Sequence, residues 1–374
     1  MVRSRGAGIA GLTIAVVATV VMAPSASAAV EGAWWAPGPR IVAAAIASTS
    51  APTTLVATAR ATYWVNPATG EMAPTGLRSP ATAVAVTAGG TGVAALRDGS
   101  VQIVAAGGTG PVLATLATPV RALAAAGTPA APLAIAATSR GIWLLRPRRQ
   151  PLRLVAGVAT AVIAPVLPGL PWWALVNGRL YGSRDGTVWG AARHTAPLPP
   201  TSHILVELGD GTVLAAEPSG LVLASSARGL VPDLQILPSG GLAGVPEPTG
   251  LTAVGSTSAY LATRGFATLL TPDDGYDWYR AAPSELPSTI EAVASVGPVF
   301  ASRQPHGDVV AAGPARLYIH RLQSLPAPPV YIGGTATLEL AGTAATTFAA
   351  ILVGLSGLAL LGPRRRRSRF TRPV

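Results

Sequence analysis

The sequence predicts an all-β body, a seven-bladed β-propeller of four-stranded antiparallel blades, followed by one C-terminal transmembrane helix. Three observations predict it. Short Ala- and Val-rich runs begin near Ile41, Val84, Val120, Val162, Ile204, Leu251 and Ile290, at intervals of 43, 36, 42, 42, 47 and 39 residues, and a period in this range marks a repeat architecture. Each run is followed by further short strands divided by Gly, Pro, Asp or Ser clusters, while helical periodicity is nearly absent. Beyond the last unit lies a stretch of 23 residues without a charge, Leu340 to Gly362.

The third unit shows the pattern most openly. VRALAAAG, PLAIAATS, GIWLLR and PLRLVAG follow one another from Val120 to Gly157, four strands in one repeat. Asp98-Gly99, Asp185-Gly186 and Asp210-Gly211, each followed by Ser or Thr and then Val, are hairpin signals between strands. Units of about 40 residues fit propeller blades better than a sandwich, which spends about 100 residues per domain. The first strand of each unit is small-chained, as in IVAAAIAS and AVAVTAG. Strands converging on an axis leave little room for side chains, although the whole chain is rich in Ala. Ring closure stays open, because Ile290 to Leu322 can supply four strands alone while Ala33 to Trp35 can add an outer one.

The sharpest hairpin is TPDDGYDW, Thr271 to Trp278, flanked by expected strands at Phe266 to Leu270 and Tyr276 to Arg280. Thr271 and Asp273 carry short oxygen-bearing side chains that accept hydrogen bonds from turn amides, Gly275 supplies a positive φ, and Trp278 opens the return strand with a large apolar face. The stretch resembles the Asp-box, or BNR, repeat, whose pattern is Ser/Thr, any, Asp, any, Gly, any, Thr, Trp between the third and fourth strands of a propeller blade. Thr271, Asp273, Gly275 and Trp278 match it, and Asp277 stands where the family prefers Thr. A second copy, SRDGTVW, keeps Ser183, Asp185 and Trp189 but is one residue short. In that family the box is structural, so the resemblance implies a sialidase-like propeller fold and not an active site.

Residues 1–28 are expected to be a secretory signal: Arg3 and Arg5, an uncharged run from Gly6 to Ala23, and a small-residue cleavage site at Ala26-Ser27-Ala28. An uncleaved anchor is the other reading. Arg3-Ser4-Arg5 is not a twin-arginine pair, and without Cys a lipoprotein anchor is not expected. The body is expected to span 29–323, with 324–339 as a Pro-rich stalk; the Leu325-Pro326 pair lacks the Thr-Gly of a sortase signal. At about 1.5 Å per residue, residues 340–362 reach roughly 34 Å, enough to cross a hydrocarbon core of about 30 Å. Arg364 to Arg367, Arg369 and Arg372 follow within the tail at 363–374 and by the positive-inside rule lie in the cytoplasm. The expected address is the cell membrane, single-pass, with the body outside.

The net charge of +11 does not mark a nucleic-acid binder, because its distribution is wrong. Arg3 and Arg5 give +2, the six tail arginines +6, and the remaining 19 Arg against 16 acids only +3. Nucleic acid is excluded as an expected partner. Every basic residue is Arg, which with the Ala, Gly and Pro content fits the coding bias of a GC-rich, actinobacterium-like genome. Zero Cys means that the exported body is held by its core alone.

No reaction is legible. Most of the eight Asp and eight Glu sit beside Gly or Pro in turns. The sialidases among Asp-box propellers use an arginine triad, a Tyr with a Glu partner and an acidic Asp; Arg40, Arg121 and Arg264 with Tyr260 and Glu207 or Glu291 are the nearest equivalents, and Pro39-Arg40-Ile41-Val42 lacks the aromatic and the Pro of the family's early motif. Glu207 and Glu291, both on expected inner strands, are also a pair from which glycosidase carboxylates could be drawn, although sequence does not supply their separation. His194, His203, His306 and His320 have no metal-ligand spacing and are expected at the surface or in hairpins, and Asp273, Asp274 and Asp277 lack the alternation of a calcium loop. No catalytic residue, metal or cofactor is expected.

Two features have both a bland and a functional reading. Arg146, Arg148, Arg149 and Arg153 are either a solvated hairpin or a loop that binds anionic wall polymer or lipid headgroups. Trp34-Trp35 and Trp172-Trp173 are either packing between blades or a sugar-stacking platform. Gly342, Thr346, Ala350 and Gly354 give the expected span a small-residue face. The expected function is a membrane-anchored cell-surface propeller that scaffolds protein or glycan interactions without catalysis. The alternatives are a sialidase-like envelope glycan hydrolase or lectin, and an assembly factor for membrane protein complexes, similar to some Asp-box propellers of photosynthetic membranes.

Overall fold

The computed structural model describes residues 34–35, 44–48, 53–105, 107–192, 198–217, 222–226, 233–236, 247–264, 269–271, 279–280, 289–298, 307–313 and 316–322. Residues 1–33, the stalk, the expected span and the tail lie outside the described residues. Those that are described contain strands and turns and no helix.

The strands form seven four-stranded antiparallel sheets. β1 (Trp34–Trp35) stands apart from its neighbours in sequence. Sheet 1 is β2 (Ala44–Ala47), β3 (Thr54–Thr58), β4 (Thr62–Val65) and β5 (Met72–Pro74), and sheet 2 is β6 (Ala81–Val86), β7 (Gly92–Leu96), β8 (Ser100–Ala105) and β9 (Gly108–Thr115). Sheet 3 is β10 (Val120–Thr128), β11 (Ala131–Thr138), β12 (Gly141–Leu145) and β13 (Leu152–Ala156), the four strands expected of the third repeat. Sheet 4 is β14 (Ala159–Ile163), β15 (Trp172–Val176), β16 (Arg179–Ser183) and β17 (Gly190–Ala191), and sheet 5 is β18 (Ile204–Glu207), β19 (Val213–Ala216), β20 (Val222–Ser226) and β21 (Asp233–Ile236). Sheet 6 is β22 (Pro248–Ala253), β23 (Ala259–Thr263), β24 (Leu269–Thr271) and β25 (Tyr279–Arg280). Sheet 7 is β26 (Ala292–Val296), β27 (Gly307–Ala312) and β28 (Leu317–Leu322), with β1 as its fourth strand.

The first strands β2, β6, β10, β14, β18, β22 and β26 touch one another in that order, and β26 touches β2. The core follows the same cycle. Seven apolar clusters each join one sheet to the next, from Leu55 and Trp64 against Val84 and Val86 between sheets 1 and 2, round to Val56 and Val65 against Val310 and Ile319 between sheets 7 and 1. Each middle strand feeds two clusters because side chains alternate across a strand. In β15, Trp172, Ala174 and Val176 pack on sheet 3 while Trp173 and Leu175 pack on sheet 5. Both faces are buried, so the strands read as unbroken apolar runs. The fold is a β-propeller.

Closure is decided by β1, which pairs antiparallel with β28 through Trp34↔Ile319 and Trp35↔Tyr318. Sheet 7 is therefore completed by Trp34–Trp35 and not by residues 290–322 alone, whose described residues supply three of its strands.

Candidate functional site

The three Asp-Gly turns are built alike. Asp98 accepts from Ser100 N (2.9 Å) and Ser100 Oγ (2.6 Å), and Asp210 accepts from Thr212 N (2.8 Å) and Oγ1 (3.1 Å). Asp185 accepts from Thr187 N (2.8 Å), Val188 N (3.1 Å), Ser183 Oγ (3.2 Å) and the Thr187 hydroxyl. The Thr187 hydroxyl and amide, followed by the Val188 amide, hold the Asp185 carboxyl well below the usual carboxylate range. Ser183 Oγ also accepts from Gly186 N at 3.0 Å, and Trp189 Nε1 donates to Gly186 O at 3.2 Å. The turn joins β16 to β17, the third and fourth strands of its sheet, and Trp189 packs half-buried on the cluster between sheets 3 and 4. In the sharper copy Thr271 ends β24 fully buried; Asp273, Gly275 and Trp278 lie outside the described residues.

On the axis, the inner strands enclose a cavity of about 210 Å³. Its wall takes residues from every sheet, among them Ile46, Val84, Ala124, Val162, Leu251 and Ala294. It touches the last residues of nearly every first strand, so the first strands run in one direction and the cavity sits towards their C-terminal ends. The polar contributions are Ser48, Thr252, Ser295 and Glu207. Thr252 Oγ1 and Ser295 Oγ are 3.0 Å apart, which fastens β22 to β26.

Glu207 is the ionisable group of this wall. It is fully buried, with Oε1 accepting from Trp173 Nε1 at 2.8 Å and Oε2 from Val166 N at 3.4 Å. Burial pushes its carboxyl up to about 8; the Trp173 and Val166 hydrogen bonds oppose the shift and nearby Asp210 adds to it. At neutral pH the group is mostly protonated, so it reaches the cavity as a neutral hydrogen-bonding group and not as a fixed negative charge.

The residues nominated for sialidase-like chemistry are not brought together at this cavity. Tyr260 is fully buried in the cluster between sheets 6 and 7, with its hydroxyl 3.1 Å from His320 Nδ1. Arg264 is exposed and bonds Glu247 Oε2 and Glu291 Oε2, both at 3.0 Å, and the Glu291 contact is the main cause of its raised pKa. Arg121 is exposed at the start of β10, and Arg40 lies outside the described residues. Glu207 closes β18 in sheet 5 whereas Glu291 precedes β26 in sheet 7, so the two lie at opposite ends of first strands that sheet 6 separates.

His320 corrects the expectation that the histidines occupy the surface or hairpins. It is fully buried in β28, edge-on to Tyr260 with ring centroids 5.6 Å apart, and burial pulls its pKa down to about 4. Alternation explains the placement: Tyr318, His320 and Leu322 share the face of β28 that meets sheet 6. His203 is exposed; His194 and His306 lie outside the described residues. Among the described residues no group of three His, Cys, Asp or Glu is arranged to hold a metal ion.

Trp172 and Trp173 are both buried packing residues, so the second Trp pair forms no sugar platform. Of the first pair, the backbone forms β1. A side cavity of about 530 Å³ lies beside Trp173, Ser183 and Asp185 at the flank of sheet 4. Arg146, Arg148, Arg149 and Arg153 are all exposed on the hairpin from β12 to β13, with Arg148 in the left-handed region at φ 59° and Leu152 57% exposed beside them.

No protein-family model matches the sequence, and no curated protein matches it. Solved structures share its fold. U3-55K is 12% identical with a TM-score of 0.60, covering 79% of this chain and 99% of that one. YCF48 bound to D1 peptide is 15% identical with a TM-score of 0.55, covering 80% and 97%. PorZ, a bacterial surface component of the type-IX secretion system of Porphyromonas gingivalis, is 14% identical with a TM-score of 0.53, covering 79% of this chain and 40% of that one. At such identities the likeness extends to the β-propeller fold.

Proposed function

We propose that the chain is a seven-bladed propeller held at the cell surface by residues 340–362, and that it scaffolds interactions without catalysis. The observation that carries this reading is the axial cavity. Its wall is mostly Ala, Val, Leu and Ile, and its ionisable group, Glu207, is engaged by Trp173 and Val166. A transition state that develops charge requires preorganised donors or ions facing the reacting atoms. This wall offers an apolar surround instead, which suits a rigid core. Partner contact then falls to the turns at the two ends of the ring, the usual place for function on a rigid scaffold.

The seven sheets and the cyclic order of their clusters support the blade number. The box-like hydrogen bonding of Ser183 and Asp185 between third and fourth strands supports kinship with Asp-box propellers. The membrane address rests on the sequence: the length of the uncharged run and the arginines after it. Among the described residues no helix is long and apolar enough to cross a membrane.

Two measurements test the proposal. External protease applied to intact cells should degrade the body and spare an epitope placed after Val374; loss of the epitope with survival of the body reverses the topology. Cross-linking of the full-length protein on intact cells, followed by identification of attached molecules, should recover envelope protein or glycan. Turnover of an envelope glycan by the purified protein, abolished by Glu207→Gln, would replace the scaffold with the hydrolase.

A further inference from the structure

The turns between second and third strands all emerge at one end of the ring, because the sheets are meanders whose first strands run in one direction. In six of the seven sheets an arginine stands there: Arg60, Arg97, Arg140, Arg179, Arg264 and Arg316. Arg78, between β5 and β6, and Arg121, at the start of β10, reach the same end, since first strands begin where second strands finish. All eight are exposed.

The acids described at this end are Asp98, Glu217, Glu247 and Glu291, so arginines outnumber carboxylates eight to four. The carboxylates are also occupied or withdrawn. Glu247 and Glu291 both bond Arg264, Asp98 is bound to Ser100 of its own turn, and Glu217 is buried. Apart from Arg264, none of these arginines forms an ion pair among the described residues. The opposite end mixes signs, with Glu71, Asp185, Asp210 and Asp308 among its arginines.

The presentation is also repeated. Thr58 Oγ1 accepts from Arg60 N at 3.2 Å and donates to Ala61 O at 2.8 Å; Thr138 Oγ1 accepts from Arg140 N at 3.1 Å and donates to Gly141 O at 3.1 Å. The same short Thr-centred turn holds both arginines by the backbone and leaves their guanidinium groups outward.

We propose that this arginine rim is a docking face for an extended anionic polymer carrying repeated phosphate or carboxylate groups. The arginines are spread from sheet to sheet instead of gathered in one pocket, so a linear chain of anions meets them in succession, with guanidinium forks matched to each oxyanion. A bilayer is disfavoured as occupant by the chain's path. The last described residue, Leu322, ends a third strand and so lies at the other end of the ring, from which a span beginning at Leu340 would be tethered. The inference deepens the scaffold reading by naming the class of partner.

The test uses full-length protein in detergent, with the terminal arginines Arg3, Arg5, Arg364 to Arg367, Arg369 and Arg372 replaced by Gln to remove their contribution, and long-chain inorganic polyphosphate as probe. Arg60→Gln, Arg97→Gln, Arg140→Gln and Arg179→Gln together should weaken binding by about tenfold or more and lower the salt dependence, log K against log salt, by roughly three, near 0.7–0.9 per lost contact. Gln at Arg146, Arg148, Arg149 and Arg153, at the other end, should leave binding within about twofold. Melting temperatures report folding; if the fourfold variant does not fold, the pairs Arg60 with Arg97 and Arg140 with Arg179 are replaced separately. Unchanged binding in the rim variant, equal loss in both variants, or no binding by the parent at low salt each overturn the proposal. Cross-linking that still captures envelope protein after such a failure would leave the scaffold standing and assign the rim no polymer.

Discussion

Trp173 Nε1 donates to Glu207 Oε1 at 2.8 Å, joining the second strand of sheet 4 to the first strand of sheet 5. The bond crosses one of the seven interfaces between sheets and ties a core indole to the one ionisable group that the described residues bring to the axial wall. It fixes a titratable carboxyl in a fully buried position, and stability should therefore report its protonation.

The Glu207 carboxyl titrates at 4.5 when free and at about 8 in the fold, because burial disfavours its anion. Across that window the folded state keeps a proton that the unfolded chain releases. The contribution is fully present below pH 4.5 and is lost as pH rises through 8, at up to about 1.4 kcal/mol per pH unit. Glu207→Gln keeps an oxygen for Trp173 and should flatten stability between pH 5 and 8, overtaking the wild type at the alkaline end. Denaturant unfolding at pH 5, 6.5 and 8 checks this; parallel curves for the two proteins would mean that Glu207 does not titrate in this range.

His320 has the opposite sign. Its pKa is 6.5 when free and about 4 when buried, so the unfolded chain gains a proton that the fold refuses. Stability should fall as pH drops from 6.5 towards 4. His320→Phe removes this acid sensitivity but also removes the imidazole that hydrogen-bonds the Tyr260 hydroxyl, costing about 1–3 kcal/mol at neutral pH. Because Glu207 pulls the other way between 4.5 and 6.5, the comparison is cleanest in the Glu207→Gln background, by melting temperature at pH 4.5, 5.5 and 7.

Gly99 and Gly76 separate backbone strain from crowding. Both have positive φ, 84° and 76°, but a Cβ on Gly99 would lie 2.2 Å from the Leu116 carbonyl oxygen, whereas one on Gly76 meets nothing within 4 Å. Leu116 N also donates to Gly99 O at 2.9 Å, so the exit from sheet 2 hangs on this turn. Gly76→Ala should cost about 1–2 kcal/mol, and Gly99→Ala roughly 3 kcal/mol or more, since a backbone carbonyl must move. Equal losses in denaturant titrations would refute the crowding.

The pairing of β1 with β28 closes the ring by joining Trp34 to Ile319 and Trp35 to Tyr318. A protein that begins at Pro37 should melt well below one that begins at Ala29, by roughly 2–4 °C or less per kcal/mol lost for a domain of this size. It should also self-associate with rising concentration, because β28 becomes an exposed edge. Identical melting and a monomeric state in both would show that the closing strand contributes nothing.

Much of this fold is legible in the amino-acid sequence. The repeat period located all seven first strands, and VRALAAAG to PLRLVAG gave the four strands of sheet 3 closely, because turn chemistry is local: an Asp, a positive-φ Gly and a Ser or Thr two residues on are enough to reverse the chain. The site was less legible. Trp172 and Trp173 look alike in sequence, yet alternation sends one to sheet 3 and the other to sheet 5, where it meets Glu207. His320 is one polar residue in LYIHRL, and only its register opposite Tyr260 shows that it is enclosed.

The amino-acid sequence by itself determined the strand pattern, the turns and the two hydrophobic ends, since each depends on residues a few positions apart. Tertiary structure alone decided that Trp34-Trp35 completes the last sheet, that Glu207 lies buried in the axial wall against Trp173, and that arginines from six separate turns share one rim. These relations join residues tens to hundreds of positions apart, and their energies come from burial and from fields that exist only after the sheets have closed on one another.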